Sequence, residues 1–355
     1  MDLVNKTPLA AELRVGSPPA LERRVGAVLA KATFRFGDSQ SLELDTQEPV
    51  PLLQEDEETD FGLRPRDDLV RDDDAFEVIL LGAAYTPGQN PKAATMVTLR
   101  VGGVKRQILV VGDRKWENSG LGGPSMTEPE PFTRKPMTWA EAFGGSAEVL
   151  IDEEATVEVT HPQNREGKGF DPVEAAQGLG AVLDAPGEYP AVDSERELPN
   201  LEDPHNRITD PGDEPNPKCW ATLPLSSGLH TMRVADELDE DDMSTEQLIQ
   251  RDSVLYRAHP DWVIERPPEG AQLEITNVTP DGGVCVELPA LRVLFDYVNR
   301  GKTATRELMP QLLVLEPEEQ RLTLTYRKPF TYPFEEEAER CIRLRTEEGW
   351  YLTDS

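Results

Sequence analysis

Met96-Val-Thr-Leu-Arg-Val-Gly-Gly-Val-Lys-Arg-Gln-Ile-Leu-Val-Val111 is the stretch that decides the fold. Val97, Leu99 and Val101 alternate with Thr98 and Arg100, which is the period of a strand with one buried face. Gly102-Gly103 then allows a tight turn, because either position of a two-residue hairpin loop can require positive φ, and Val104 to Val111 returns as a second strand. The same grammar recurs outward from here. Leu273, Ile275 and Val278 lead into Pro280-Asp281-Gly282-Gly283 and back through Val284, Val286 and Leu288, a hairpin with explicit turn chemistry. Gln311 to Leu315 pairs with Arg321 to Arg327 across Glu316-Pro317-Glu318-Glu319, with Leu322, Leu324 and Tyr326 on one face, and Ile342 with Leu344 marks one more strand. The expected fold is mainly β, with antiparallel sandwich-like sheets, a long loop-rich middle segment and few short helices.

Helical signals are short. Thr138 with Glu141 has the spacing of a capping box, for a turn or two through Trp139 and Phe143 that Gly144-Gly145 would stop, and Ser244 with Gln247 could cap a second helix towards Gln250. Between Pro162 and Pro268 the composition shifts to Pro, Gly, Asn, Asp and Glu with little periodicity. The expected organisation is an N-terminal β region over 1–160, a loop-rich segment over 161–268 lying over the sheets, and a C-terminal β region over 269–355 that packs with the first. Long loops in a compact protein are usually functional or disordered, so partner contacts are expected there. The acidic runs Glu55–Asp60, Asp72–Asp74 and Asp236–Asp242 read as exposed flexible connections.

The 355 residues can bury a sizeable core. Their 36 Lys plus Arg against 67 Asp plus Glu give a net charge of -31. Such a surface repels phosphates, so no nucleic acid is expected, and a neutral or basic partner is favoured over a merely well-solvated exterior only as an added function. Cys219, Cys285 and Cys341 are odd in number and widely spaced, which fits neither a disulfide framework nor a metal cluster and suits a reducing compartment. Met1 to Gly16 has no apolar core of signal length, and no run approaches the roughly 20 apolar residues of a membrane span, so a cytoplasmic protein without membrane contact is expected.

Chemistry finds little footing. Asn164 to Phe170 resembles a phosphate-cradling loop in its glycines and lysine, but a Walker loop needs glycine where Pro162 stands and Ser or Thr where Gly169 stands. His161, His205, His230 and His259 have no ligand spacing and read as locally hydrogen-bonded residues. No nucleophile elbow or protease signature is present, and carboxylates are too many for abundance to single out a catalytic pair. Neither catalysis nor a cofactor or metal is expected.

The candidate partner-binding or structural residues lie in four tracts. Asp113, Arg114 and Trp116 follow directly on the 104–111 strand, where the two charges can pair with each other or with a facing loop, and Trp116 is a core anchor before it is a docking aromatic. Trp139 and Phe143 precede the Gly pair, Asn164, Lys168 and Phe170 fill the glycine-rich loop, and Asn200 can bond its own backbone in Leu198-Pro199-Asn200-Leu201-Glu202-Asp203-Pro204.

Read in order with Lys31-Ala32-Thr33-Phe34 and Pro136-Met137, these tracts resemble a bacterial family long catalogued as a domain of unknown function and found beside PAAR-like tip proteins in type VI secretion clusters. The resemblance covers nearly the whole chain. It departs from the family at Gln163-Asn164-Arg165, where Arg-Asn-Pro is usual, and after Trp220, so this member would serve a different client. The resemblance implies a non-catalytic adaptor or chaperone that binds a PAAR-like protein or a PAAR-linked toxic effector, and possibly VgrG, and helps load it onto the VgrG spike. The alternatives are a structural component of the spike complex and, behind it, a carbohydrate-active hydrolase.

Overall fold

A computed structural model describes residues 1–16, 23–36, 41–68, 74–118, 124–150, 156–171, 196–230, 256–333 and 340–347. In chain order the strands of its two main sheets are β1 (Asp2–Asn5), β2 (Ala10–Gly16), β3 (Arg23–Phe36), β4 (Leu42–Leu44), β5 (Ala75–Leu80), β6 (Ala94–Val101), β7 (Val104–Val111), β8 (Leu201–Glu202), β9 (Val263–Glu265), β10 (Gln272–Thr279), β11 (Gly282–Glu287), β12 (Val293–Asn299), β13 (Lys302–Glu316), β14 (Arg321–Pro333) and β15 (Arg340–Thr346). The larger sheet runs β1-β15-β12-β13-β14-β3-β2, with β4 on β3, β5 on β13 and β9 on β5. The smaller runs β8-β7-β6-β10-β11. Strands from both ends of the chain therefore share both sheets, and a single apolar core lies between them, joining Val97, Leu99 and Ile275 to Val78, Leu80 and Leu313.

The chain's own connectivity forces the larger sheet to curl. Seven strands laid flat at about 4.8 Å spacing would put β1 about 29 Å from β2. Only residues 6–9 join them, and that link spans at most about 18 Å. The curl is made on β13, where Pro310 cannot donate to the ladder and a register shift sets Gln311 outside it. Phe295, Phe330 and Tyr332 are buried with ring centroids 5.5 and 5.8 Å apart along the series, and Gly26 gives the Phe330 ring its room.

All three expected hairpins form. Val101 faces Val104 across the first turn, in which Gly102 alone takes positive φ. In the second, the break in alternation between Ile275 and Val278 is a bulge, with Asn277 at φ 60 and its side-chain amide donating to Met96 O at 2.9 Å. Not every pairing is antiparallel: β1 runs parallel to β15, and β5 parallel to β13.

Several expectations need correcting. Trp139–Glu141 is one 3-10 turn whose Thr138 makes no side-chain cap, and the Glu141 carboxylate is bonded by Lys168 Nζ at 2.7 Å. The loop-rich segment does not simply lie over the sheets. Cys219, Trp220, Ala221, Leu223 and Trp262 are fully buried, the two tryptophans meet edge to face at 5.6 Å, and Leu80 N donates to Trp220 O. Within the described part of that segment Leu225 is the one large apolar residue that is exposed. The acidic run at 55–60 is not a loose connection: Glu57–Thr59 pairs with Gly62–Arg64, and Asp56 takes a two-pronged bond from Arg257 at 3.0 and 2.7 Å. Asp236–Asp242, most of Asp72–Asp74 and the Ser244 helix lie outside the described residues.

Lys31-Ala32-Thr33-Phe34 shows how a β motif can point both ways. Ala32 and Phe34 enter the apolar core, while Lys31 and Thr33 face a strap formed by residues 45–68. Asp67, fully buried, pairs with Lys31 and accepts from Thr325 Oγ1 and Leu53 N, both at 2.8 Å, so the strap is tied on by a satisfied polar layer.

Candidate functional site

The four candidate tracts converge at the end of β7. Gly112 is required there because a Cβ would stand 1.8 Å from Glu130 O, so the chain leaves the sheet in close contact with the 124–136 segment. Leu198 N donates to Arg114 O, Asn200 N to Glu141 O, and Val111 N to Asn200 O, which lays the Leu198–Glu202 tract across both the strand end and the 3-10 turn. Phe143 and Gly144 pair in parallel with Lys168 and Gly169.

Most of the named polar side chains are used inward. Arg114 and Glu202 form an ion pair with both side chains 1% exposed, so the facing loop, not Asp113, is the partner of Arg114. Asn200 donates to Val111 O at 2.8 Å and to Asp113 Oδ1 at 3.0 Å. Asn164 donates to Trp139 O at 2.9 Å and Phe143 O at 3.0 Å and so holds the turn to the glycine-rich loop. Phe143 and Phe170 each meet the His161 ring edge-on at 5.3 Å. Trp116 and Phe143 share a small second core with Leu198 and Ile208, and Trp139 is buried in the main one, its indole N–H donating to Thr222 O at 2.9 Å. All four aromatics are therefore anchors.

In front of this framework opens a polar cleft of about 640 Å³. Asp113, Arg114 and Lys168 are the expected residues that line it; Lys115, Lys135, Glu117, Glu128, Glu130, Glu141 and Glu197 complete its charges. Every cation is engaged: Arg114 with Glu202, Lys135 with Asp113 at 2.6 Å, Lys168 with Glu141 at 2.7 Å, Lys115 with Glu117 at 3.9 Å. Burial acts to raise the Asp113 carboxyl pKa, but hydrogen bonds from Lys135 and Asn200 outweigh it and hold the group below its ordinary value. Glu128, Glu130 and Glu197 are exposed and make no ion pair among the described residues, so the cleft keeps an excess of negative charge. Lys135 and Glu197 carried no signal in the sequence, whereas Glu141 and Glu202 stood inside quoted motifs and needed only the pairing of those motifs to be seen.

Among the described residues no group of His, Cys, Asp and Glu is arranged to hold a metal ion, and no helix is long and apolar enough to cross a membrane. Neither a curated protein nor a solved structure matches the chain. A family described as "Uncharacterized protein conserved in bacteria (DUF2169)" matches residues 22–327, a span that includes the whole cleft, and the chain belongs to that family.

Proposed function

We propose that this protein is a non-catalytic adaptor that holds a PAAR-like protein or a PAAR-linked toxic effector in the cytoplasm and delivers it to the VgrG spike of a type VI secretion system. The observation that carries the reading is the cleft at the end of β7: its cations are already paired within the chain, and Glu128, Glu130 and Glu197 stand exposed around it. A negatively charged cleft on a chain of net charge -31 suits a cationic protein segment, attracting it at a distance and rejecting acidic competitors. The buried pairs behind it fix the loops that form its walls, so the cleft exists before cargo arrives and little ordering cost falls on binding.

Co-expression with a PAAR-like protein, read by size-exclusion chromatography and by the soluble yield of that partner, tests the reading. Co-elution that weakens with added salt, and that Glu128→Lys with Glu130→Lys abolishes without changing the thermal midpoint, is the expected result. A folded chain that neither binds nor raises the soluble yield of its partner refutes it.

A further inference from the structure

A second binding feature lies away from the cleft, on β11. This strand ends the smaller sheet and pairs with β10 alone, and among the described residues no backbone hydrogen bond crosses its outer side. Gly282-Gly283-Val284-Cys285-Val286-Glu287 has no proline and no lysine, the usual protections of an open edge. Beside it runs an open groove of about 570 Å³ lined by Leu42, Gln272, Cys285, Val286 and Glu287.

The groove adjoins a pocket of about 260 Å³, with Leu288 and Pro289 lining both. The pocket follows from the curl. β12 pairs with β13 as far as Leu308 and β5 pairs with it from Leu312, so Met309 and Pro310 are matched by neither, and the gap opens onto Phe76, Leu324 and Tyr326. Its walls are mainly apolar, and it has room for a large side chain. At its mouth Arg292 is paired with Glu307 and Glu347, and Arg266 with Asp74, which leaves Glu269 and, in the groove, Glu287 as carboxylates without an ion pair among the described residues.

We propose that β11 accepts an added strand from a partner protein: an extended, cationic segment that continues the sheet and seats one aromatic or large aliphatic side chain in the pocket. The free edge specifies the backbone, since alternating donors and acceptors at strand spacing match an extended chain and little else, and the pocket specifies the side chain. Charge selects against a second copy as the occupant, because two chains of net charge -31 repel, whereas a segment bearing lysine or arginine is drawn to Glu287 and Glu269. This site is independent of the cleft and stands whether or not the cleft binds cargo.

The test uses the full chain and a fluorescein-labelled decapeptide of alternating lysine and valine with a phenylalanine near one end. Fluorescence anisotropy should saturate, hydrogen exchange should slow at residues 282–287, and a peptide of the same charge interrupted by prolines should not bind. Met309→Trp, which fills the pocket from its wall, should weaken binding about tenfold, while Met309→Leu should not. The exchange measurement on the unaltered chain stands even if Met309→Trp fails to fold. Absence of binding at millimolar peptide, binding that leaves exchange at 282–287 unchanged, or equal binding of the proline peptide overturns the proposal. So does a peptide-independent dimer in sedimentation velocity that protects 282–287, which would assign the edge to a second copy.

Discussion

Replacing Arg114 by methionine keeps the aliphatic stem and removes the guanidinium, which leaves Glu202 charged at 1% side-chain exposure. Breaking a buried pair from one side costs about 3–5 kcal/mol, chiefly because the remaining charge has lost its partner without regaining water. Two features put this case near the lower limit. Glu202 Oε2 keeps Arg207, half-exposed and 3.3 Å away, and Arg114 Nε is buried with no acceptor among the described residues, so its removal relieves one desolvated donor. A loss of about 3 kcal/mol is expected. Glu202→Leu should cost more, because Arg114 would keep its charge with only Pro199 O at 3.4 Å and Met126 Sδ at 3.3 Å as polar neighbours. The double change to Arg114→Met with Glu202→Leu should cost less than the sum of the single changes. Hydrogen exchange locates the effect: the amides of Leu198, Asn200 and Val111 all close the Leu198–Glu202 tract, and their protection should fall by about two orders of magnitude if the tract opens as a unit. Urea unfolding within about 0.5 kcal/mol of the parent, together with unchanged exchange at those amides, would refute the claim that this pair holds the cleft wall.

Three further outcomes follow from other sites. Burial lowers the His259 pKa to about 4 against the nearby Asp261 carboxylate, and its ring is suited to the neutral form, Nδ1 accepting from Asp261 N at 3.1 Å and Nε2 donating to Pro217 O at 3.3 Å. The folded value lies below the ordinary 6.5, so the unfolded chain binds the extra proton as pH falls from about 6.5 to about 4, and stability should drop by about 3 kcal/mol across that window; a His259→Gln variant with the same slope in urea titrations would count against it. Burial acts to raise the Glu316 pKa, but hydrogen bonds from Arg321 at 2.9 Å and Arg64 at 2.6 Å hold it below 4.5, so its contribution is present above pH 4.5 and lost as pH falls through the lowered value. Glu316→Gln should therefore cost about 2 kcal/mol at neutral pH and progressively less in acid, as followed by thermal midpoint. Gly112→Ala should cost about 3 kcal/mol, since its Cβ meets backbone at 1.8 Å, while Gly103→Ala, with no heavy atom within 4 Å of its Cβ, should stay within about 0.5 kcal/mol; equal midpoints for the two would contradict the packing.

The hairpins were legible because period-2 alternation and turn chemistry are local. What the sequence concealed is non-local or aperiodic. β13 begins at Lys302, yet Lys302 to Arg306 are exposed and carry no apolar alternation, so the strand was readable only from Gln311 onward. The parallel pairings of β5 with β13 and β1 with β15 join segments more than two hundred residues apart, and nothing in either strand alone names its partner. Trp220 and Trp262 sit among prolines and polar residues without period, so their composition resembles an exposed loop while their burial follows from the gap they fill between the sheets. At the site, order along the chain identified the tracts but not the pairs: Arg114 had two possible partners in sequence, and only the crossing of the Leu198–Glu202 tract over the strand end decides for Glu202.

The division between buried and exposed charge at the cleft makes framework and contact separable by experiment. Asn164 and Asn200 hold backbone, and Arg114 and Glu202 hold each other across the strand end, so a loss of cargo binding on their substitution is expected to come with a loss of stability. The side chains of Glu128, Glu130 and Glu197 make no ion pair among the described residues, and their replacement by lysine leaves the backbone bonds of the cleft wall in place and puts positive charge where a cationic segment would approach. If binding falls with stability at every position, the cleft is a structural corner and the exposed carboxylates serve only solubility. If it falls at Glu128 and Glu130 while the thermal midpoint stays fixed, the negative cleft is itself the contact, and the role of the buried motifs is to build it.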